Sequence, residues 1–360
     1  MIKVIQINLN HCWTAQQLLM QTISERGIDV TIISDYYKEI GDDQQWASSA
    51  DSKCAIYIPT RSAASISDRG SGNGFAWTKV VRILYYSCYI TPNCTLQEFD
   101  QFLVGLEASI RGQSGPEADL IVAGHFNSHS AEWGSTTADA RGALLSDFAS
   151  ALGLDVCNEG LTPTYRRVNA ALVIDVTFAR PLQGRRHLVH DWSVLADQHT
   201  ASDHDYIEFT VTQSGTPRPR TSTRSTQSHG WSVKKLSIEK IQEHWNQASL
   251  PHFHDNATAK EHAERLTGYL ETACNAAMPH RTKFDNKKSV HWWSEEIAAL
   301  RRSAIAARRR YQRAGRRAGM EGRGDAFEEY NNARKTLRLT IRRAQETSWR
   351  ELCKSVDDDP

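Results

Sequence analysis

The sequence predicts an α+β fold, a four-layer α/β/β/α sandwich of two mixed sheets, followed by a mainly α-helical C-terminal segment. Strand-like and helix-like runs alternate over the first 211 residues, but several strand-like runs also follow one another directly. Consecutive strands need antiparallel pairs, whereas strand–helix alternation needs parallel ones, so both sheets are expected to be mixed. The predicted domains are residues 1–212, a flexible linker at 213–230, and a basic helical segment at 231–360.

The first elements follow from apolar periodicity. Residues 2–9 alternate apolar and polar side chains, which predicts a strand with one face in the core. Leu18, Leu19 and Ile23 have helical spacing and predict a helix with Thr14 as its N-cap, ended by Gly27. A short buried strand is expected next, at residues 30–33.

The middle and end of the domain continue this pattern. Leu103, Leu106 and Ile110 fall on one face of a predicted helix at 95–110, and a further helix at 140–152 is closed by Gly153. Further strands are predicted at 54–58, 75–80, 81–89, 154–157, 174–178, 187–194 and 206–211. One more strand begins at residue 121 and runs into a polar loop at Gly124.

After residue 212 the composition changes. The linker has almost no apolar residues and is rich in Ser, Thr, Pro and Arg. Helices are predicted at 234–245, at 262–278 and at 294–352, the last interrupted near a group of glycines.

The charge is unevenly distributed. The chain carries a formal net charge of +1, yet residues 301–350 hold about 15 Lys/Arg against about 5 Asp/Glu. A basic tail suggests a polyanion as its partner. Seven scattered cysteines, no N-terminal leader and no long apolar run predict an intracellular protein, nuclear or cytoplasmic, without a membrane segment.

Polar side chains stand at the predicted strand ends. Asn8 and Asp35 end two strands, Tyr89 ends a third, Asp175 lies within a fourth, and Ser202-Asp203-His204 precedes a fifth. Side chains collected at the edge of a sheet are how such folds build a catalytic or metal site.

The motif order resembles a known superfamily. The motifs are Q-I-N-L-N, I-I-S-D, S-C-Y-I-T-P, G-H-F-N-S-H, I-D-V-T-F and S-D-H. Over residues 3–211 this order resembles the endonuclease–exonuclease–phosphatase superfamily, and within it the apurinic-type endonuclease domain of non-LTR (LINE-type) retrotransposon polyproteins. The remainder, with Trp292-Trp293 and its Arg-rich helix, looks like the segment that leads to a reverse transcriptase.

The resemblance implies a divalent metal, Mg²⁺ or Mn²⁺, between Asn8 and Asp35. Carboxylate and amide oxygens are the ligands that Mg²⁺ prefers. The family normally has glutamate at position 35, so Asp35 keeps the charge but reaches less far. Taken singly, both residues are also ordinary turn formers at strand ends.

The resemblance also implies the catalytic residues. Tyr89 and Asn127 match side chains that contact the scissile phosphate, and Asp203 matches a carboxylate linked to leaving-group protonation or to the metal. Asp175 is expected to bond one ring nitrogen of His204 and fix its tautomer.

His125 departs from the family pattern. The family has aspartate there, in G-D-F-N, to orient or deprotonate the attacking water. Loss of a positioned acid–base group typically costs about 10²–10⁴ in rate, so we expect impaired chemistry. A zinc site of His125 and His129 is an alternative with only two ligands.

The basic tail has two interpretations. The arginines of 301–317 are too dense to be matched by nearby acids. One interpretation is phosphate binding, and the other, equally open, is a solvated helix face docked on another domain. Trp292-Trp293 is predicted to anchor a helix in a core.

The resemblance implies a metal-dependent DNA endonuclease domain of a retrotransposon, which nicks target DNA to prime reverse transcription and is impaired by His125. Its partners would be DNA and, through the tail, element RNA. The alternative is a catalytically inactive DNA-binding module of the same fold. A phosphatase acting on a lipid or inositol headgroup is less compatible with the basic tail.

Overall fold

A computed structural model gives the structure of the protein and describes residues 1–39, 43–60, 62, 66–113, 119–167, 170–180, 188–212, 236–247, 258–278, 289–317 and 323–357. The chain forms two compact units. One comprises Met1–Thr216 together with Lys288–Pro360, and the other is Pro217–Lys287.

Six strands form the first sheet, in the order β13-β14-β1-β2-β4-β3. β1 runs parallel to β2, and the other neighbours are antiparallel. The strands are β1 (Ile2–Asn8), β2 (Val30–Ser34), β3 (Trp46–Ser48), β4 (Cys54–Tyr57), β13 (Val189–Val194) and β14 (Ile207–Val211).

The second sheet also has six strands, in the order β5-β6-β7-β8-β12-β9. β7 and β8 are parallel, so each sheet is mixed. The strands are β5 (Ile66–Gly72), β6 (Phe75–Val80), β7 (Ile83–Tyr89), β8 (Asp119–His125), β9 (Asp155–Val156) and β12 (Asp175–Arg180). A separate hairpin pairs β10 (Tyr165–Arg167) with β11 (Ala170–Leu172).

The two sheets face each other across an apolar core. Val4, Ile32 and Phe209 of the first sheet share a buried cluster with Tyr85 and Ile121 of the second. Buried polar side chains also join the sheets in three places. The Ser34 hydroxyl donates to the Cys88 carbonyl at 2.9 Å, the Ser87 hydroxyl to the Ile33 carbonyl at 2.9 Å, and the Thr177 hydroxyl to Gln6 Oε1 at 2.7 Å. Because buried polar groups need partners, these bonds favour one alignment of the sheets.

Helices cover both outer faces. α1 (Trp13–Arg26) packs on the first sheet through Leu18 and Leu19, against Ile5 and Ile7 of β1. α2 (Leu96–Gln113) and α3 (Ala140–Ala151) pack on the second sheet, with Phe99 and Phe148 in its core. The predicted four-layer sandwich of two mixed sheets with a helical C-terminal segment is therefore confirmed.

Two C-terminal helices belong to the same unit as the sandwich. α6 (Glu295–Arg317) and α7 (Arg323–Asp357) place Ile297, Leu337 and Ile341 in the apolar cluster that contains α1. Trp292 is buried there, and its indole N–H donates to Gln17 Oε1 at 3.2 Å, which is the predicted anchoring role.

Of the two interpretations of the α6 arginines, the structure supports a docked helix face for Arg301 and Arg308, which are buried. Arg301 pairs with Glu25, Arg308 with Asp205 and Arg309 with Asp197, acids that are distant in the sequence. The remaining pairs within the helical segment are Arg302 with Glu295 and Arg310 with Glu329. Sequence distance hid the partners of Arg301, Arg308 and Arg309. The side of α6 that carries the buried Arg301 and Arg308 is a docking surface.

The other compact unit contains two described helices, α4 (Ile238–Gln247) and α5 (Ala259–Ala277). Thr258 and Glu261 form a capping box at the start of α5. The predicted linker, 213–230, lies outside the described residues. The helices predicted in 231–360 thus fall in two compact units, and the proposed domain boundaries stay a prediction.

Some element boundaries differ from prediction. α1 begins at Trp13, with Cys12 rather than Thr14 at its N-cap position and no side-chain capping bond. The three-residue strands β3, β10 and β11 and the seven-residue strand β5 are additional. Within the described part of the chain, none of the helices combines the length and apolar character needed to cross a bilayer.

Candidate active site

Three polar side chains stand in register across the second sheet. Tyr89 at the end of β7 pairs with His125 at the end of β8, and His125 pairs with Asp175 at the start of β12. The close approach of β7 and β8 requires Gly124, since a Cβ there would lie 2.1 Å from the Cys88 carbonyl oxygen. The strand pairing therefore brings the three predicted residues to one edge of the sheet.

Asp175 holds two imidazoles. His204 Nδ1 lies 2.7 Å from Asp175 Oδ2, and His125 Nδ1 lies 2.9 Å from Asp175 Oδ1. The rings of His125 and His204 meet edge to face, with centroids 4.9 Å apart. We call His125, Asp175 and His204 the candidate triad. With both Nδ1 atoms at the carboxylate, each Nε2 is turned away from Asp175 and is left for other partners.

The triad is buried and charged. All three side chains are almost inaccessible. Burial alone would raise the pKa of the Asp175 carboxyl, but His204 and His125 lower it below its usual value. The carboxyl is therefore ionised at neutral pH and acts as the acceptor for both rings.

Neighbouring side chains hold the triad in place. The buried Thr164 hydroxyl oxygen accepts from the backbone N–H groups of Ile174 and Asp175, both at 3.2 Å. Thr200 donates to the His204 carbonyl at 2.7 Å, and the Tyr165 ring lies 4.9 Å from the His204 ring. The sequence reasoning missed Thr164 and Tyr165. Both residues belong to the polar motif T-P-T-Y, which lies a short distance before I-D-V-T in the sequence. This proximity was the only sequence feature that indicated a role near Asp175.

Tyr89 lies beside the triad. Its ring stacks on His125, with centroids 5.8 Å apart and planes at 21°. Burial, and then the charges of Asp35 and Asp51, raise the pKa of Tyr89 to about 12. The phenol therefore stays protonated at neutral pH and can donate a hydrogen bond to an anion.

Asn8 and Asp35 come from the adjacent ends of the parallel strands β1 and β2. Asn8 pairs in register with Ser34, the residue before Asp35. Both side chains are buried, and Asn8 Oδ1 accepts from the Asn10 N–H at 2.8 Å. Asp35 has a left-handed backbone (φ 45°), and its nearest paired cation is Lys53 at 4.0 Å. One carboxylate and one amide oxygen form a donor set that suits Mg²⁺ or Mn²⁺.

Asn127 and Asp203 point to other partners. Asn127 Nδ2 donates to the Ile90 carbonyl at 2.7 Å and so supports the loop after β7. The Asp203 carboxylate accepts from Arg167 Nε at 2.9 Å and lies 3.7 Å from Arg334. Asp203 is thus neutralised by arginines, while its neighbour His204 enters the triad.

The described residues contain a different metal-capable cluster from the predicted histidine pair. It consists of the triad itself, whose ligand atoms lie within 4.8 Å of one another, and His129 is not part of it. His129 Nδ1 lies 3.2 Å from the Ser135 hydroxyl instead. Because both triad imidazoles already bond the carboxylate at hydrogen-bond distances, the triad is better described as a hydrogen-bonded unit than as a zinc site.

Comparisons with known proteins match the part of the chain that contains the candidate triad. Residues 83–208 match the model of a family described as endonuclease-reverse transcriptase. The endonuclease domain of TRAS1, a telomere-specific non-LTR retrotransposon, is 25% identical with a TM-score of 0.50, and the match covers 58% of this chain and 97% of that one. An AP endonuclease from Archaeoglobus fulgidus is 11% identical, with a TM-score of 0.48 and 59% and 99% coverage. No curated protein matches the chain significantly.

The family match contains Tyr89, His125, Asn127 and Asp175, and the solved endonuclease domain aligns with about three fifths of the chain. Motif order, sheet topology and both matches agree. The N-terminal domain therefore contains a match to the endonuclease-reverse transcriptase family, and its fold and sequence are similar to those of the endonuclease domain of a non-LTR retrotransposon.

Proposed function

We propose that the N-terminal domain is a metal-dependent DNA endonuclease of a non-LTR retrotransposon, which nicks target DNA and leaves a 3′ hydroxyl to prime reverse transcription. The observation that carries this proposal is the 2.7 Å bond between His204 and Asp175, beside a protonated Tyr89. This combination offers an oriented imidazole and a hydrogen-bond donor to one phosphate group.

In the proposed reaction, a water oxygen bonds to phosphorus, the P–O3′ bond breaks, and O3′ takes a proton. Tyr89 would donate to a non-bridging oxygen, and His204 Nε2 would face the phosphate or the water. Asn8 and Asp35 would hold Mg²⁺ or Mn²⁺, which when bound stabilises charge on the phosphate oxygens.

His125 is proposed to slow this reaction. It stands at the position of the family aspartate, and it occupies Asp175 Oδ1, so the carboxylate is shared between two rings. An imidazole bound in this way lacks the carboxylate oxygens that would orient the attacking water. We expect the rate to fall by about 10²–10⁴ relative to an aspartate at this position.

A second candidate function rests on the same contact. If the shared carboxylate abolishes chemistry, the domain is a DNA-binding module, because phosphate donors such as Tyr89 remain available. Both functions require DNA binding, but only the endonuclease cleaves the DNA.

Supercoiled-plasmid nicking with Mg²⁺ tests the proposal. The native chain is compared with His125→Asp, with His204→Ala as the inactive reference and with EDTA as the metal-free control. In His125→Asp, the Asp175 carboxylate would serve His204 alone. We expect weak EDTA-sensitive nicking by the native chain, about 10²–10⁴ slower than by His125→Asp.

Each outcome is informative. Native nicking equal to that of His125→Asp would show that His125 works as a substitute. No nicking by either protein, with DNA binding retained, would favour the binding module. Asp35→Glu added to His125→Asp then tests whether the short carboxylate limits metal binding.

A further inference from the structure

The groove between the start of α1 and helix α7 lies beside the candidate active site. We call it the α7 groove, and its volume is about 410 Å³. It is lined by Asn10, His11, Cys12, Trp13, Thr14, Tyr37, Ala201, Ser202, Asp203, Arg334, Arg338 and Arg342. We propose that the α7 groove binds unpaired nucleotides of single-stranded DNA; the choice of DNA rests on the proposed function.

The groove is positively charged along one wall. Arg334, Arg338 and Arg342 are spaced by four residues, which places them on one face of α7. Arg338 and Arg342 are exposed and have no hydrogen bond or ion pair with the residues that the structure describes. Asp203 is the acidic residue among the groove-lining side chains, and Arg167 and Arg334 already neutralise it. Two arginines are therefore available for phosphates.

The opposite wall is aromatic. Tyr37 is 45% exposed, and its ring lies 5.0 Å from that of His11 and 5.5 Å from that of Trp13. Lys38 covers the Trp13 ring at 4.9 Å and adds a further cation. Tyr37 thus offers an exposed ring, held by aromatic neighbours, on which a base can stack.

An exposed ring and a row of arginines that line one groove are typical of single-strand binding. Bases of a duplex are already stacked and paired, so they cannot use Tyr37 without leaving the helix. The groove volume lies within the range of about 300–1,000 Å³ for sites that enclose a small ligand. A nucleotide fits this scale, whereas a duplex does not.

The groove lies next to the candidate active site. The Ser202 hydroxyl donates to the Asn8 carbonyl at 2.7 Å, and Asp203 directly precedes His204. A strand lying in the groove would therefore pass close to both the predicted metal ligands and the triad. Helix α7, from outside the nuclease domain, supplies the phosphate-binding wall.

Fluorescence anisotropy with a labelled single-stranded oligonucleotide, in EDTA, tests the proposal on the full chain. Arg338→Gln/Arg342→Gln is compared with Arg343→Gln/Arg350→Gln, which removes the same charge from exposed positions of α7 outside the groove lining. We expect Kd to rise at least tenfold for the first variant and less than threefold for the second. The slope of log K against log salt should fall by about 1.4, two phosphates at about 0.7 each.

Tyr37→Ala isolates stacking, because it changes no charge. Loss of one base–aromatic stack should raise Kd for the single strand at least about fivefold and leave a duplex of the same length unchanged. The proposal would be overturned if both α7 double variants lost the same affinity for the single strand. It would also be overturned if Tyr37→Ala weakened the binding of single strand and duplex equally. Equal groove-dependent binding of a poly-glutamate probe would also overturn it in favour of an acidic protein partner.

This test is independent of nicking. Groove-dependent single-strand binding by a chain that never nicks would leave the inference standing and contradict the enzyme alone. If the chain nicks normally and the groove substitutions leave its DNA affinity unchanged, only the inference about the groove is contradicted. Circular dichroism of each variant confirms that these exposed substitutions leave the fold intact.

Discussion

Arg308 of α6 donates a hydrogen bond of 2.6 Å to the carboxylate of Asp205, the residue that follows His204. Arg166 donates to the other carboxylate oxygen at 3.0 Å. Asp205 is 2% exposed, so this ion pair is buried. The C-terminal helical segment therefore contacts the chain one residue from the candidate triad.

Arg308→Met should destabilise the larger compact unit by about 3 kcal/mol, because removal of one partner leaves a buried carboxylate poorly compensated. This loss of stability is at the low end for buried ion pairs, because Arg166 still donates to the Asp205 carboxylate in the variant. Urea unfolding measures it. Arg309→Met, which breaks the exposed pair with Asp197, is the control and should change stability by less than about 1 kcal/mol. Similar losses in both variants would contradict the burial argument.

Gly124→Ala should destabilise the protein by about 3 kcal/mol or more, because the new Cβ would meet the Cys88 backbone and force β7 away from β8. The same change at Gly105, on an exposed position of α2 with open space around it, should stabilise the protein by about 0.5–1 kcal/mol. Denaturant midpoints of the two variants should thus move in opposite directions. A neutral Gly124→Ala would show that the two strands separate easily.

His199 predicts a pH dependence of stability. Burial, and then the charges of Arg308, Arg334, Arg301 and Arg338, lower its pKa from 6.5 to about 3. Above pH 6.5 the imidazole is neutral in the folded and the unfolded state, so its contribution to stability is fully present. Below pH 6.5 the imidazole is protonated in the unfolded chain but stays neutral in the folded protein. The free energy of unfolding therefore falls toward pH 3 by up to about 1.4 kcal/mol per pH unit.

The measurement is urea unfolding between pH 7.5 and pH 5. His199→Gln removes the titrating group, so its stability should fall less with decreasing pH than that of the native chain. His291→Gln, at an exposed position, should retain the native pH slope. An unchanged slope in His199→Gln would mean that the imidazole is protonated in the folded state.

Trp292→Ala should cost about 3–5 kcal/mol, because the side chain is buried in the cluster of α1, α6 and α7 and bonds Gln17. Trp349 is 65% exposed on α7, and Trp349→Ala should cost little. Thermal unfolding of both variants gives the comparison. A small loss for Trp292→Ala would mean that the C-terminal helices add little to the stability of the sandwich.

The alignment of Tyr89, His125 and Asp175 was partly predictable, because Tyr89 and His125 end apolar runs that are typical of strands and Asp175 lies within a third such run. Tyr89, His125 and Asp175 were all located in this way, and the structure brings them together. The bond between His125 and Asp175 was not predictable, since it depends on the register of β8 against β12. Two strands that are 50 residues apart give no local sign of their register.

The partners of the α6 arginines were hidden for the same reason. Asp205 and Glu25 lie far from α6 in the sequence, and only the docking of the helix brings them within reach. The short strands β3, β10 and β11 escaped prediction because three residues carry too little periodicity to be recognised.

Because residues 288–360 pack with residues 1–216, while 217–287 form a unit of their own, the larger unit is discontinuous along the chain. On a ribosome, the apolar face of α1 is made early, but its covering residues Trp292, Ile297 and Leu337 arrive much later. At roughly 5–20 residues per second, the nascent chain waits about ten seconds to one minute with this surface uncovered. During that interval it is a natural client for chaperones, and premature termination before α6 leaves a sandwich with an exposed hydrophobic patch.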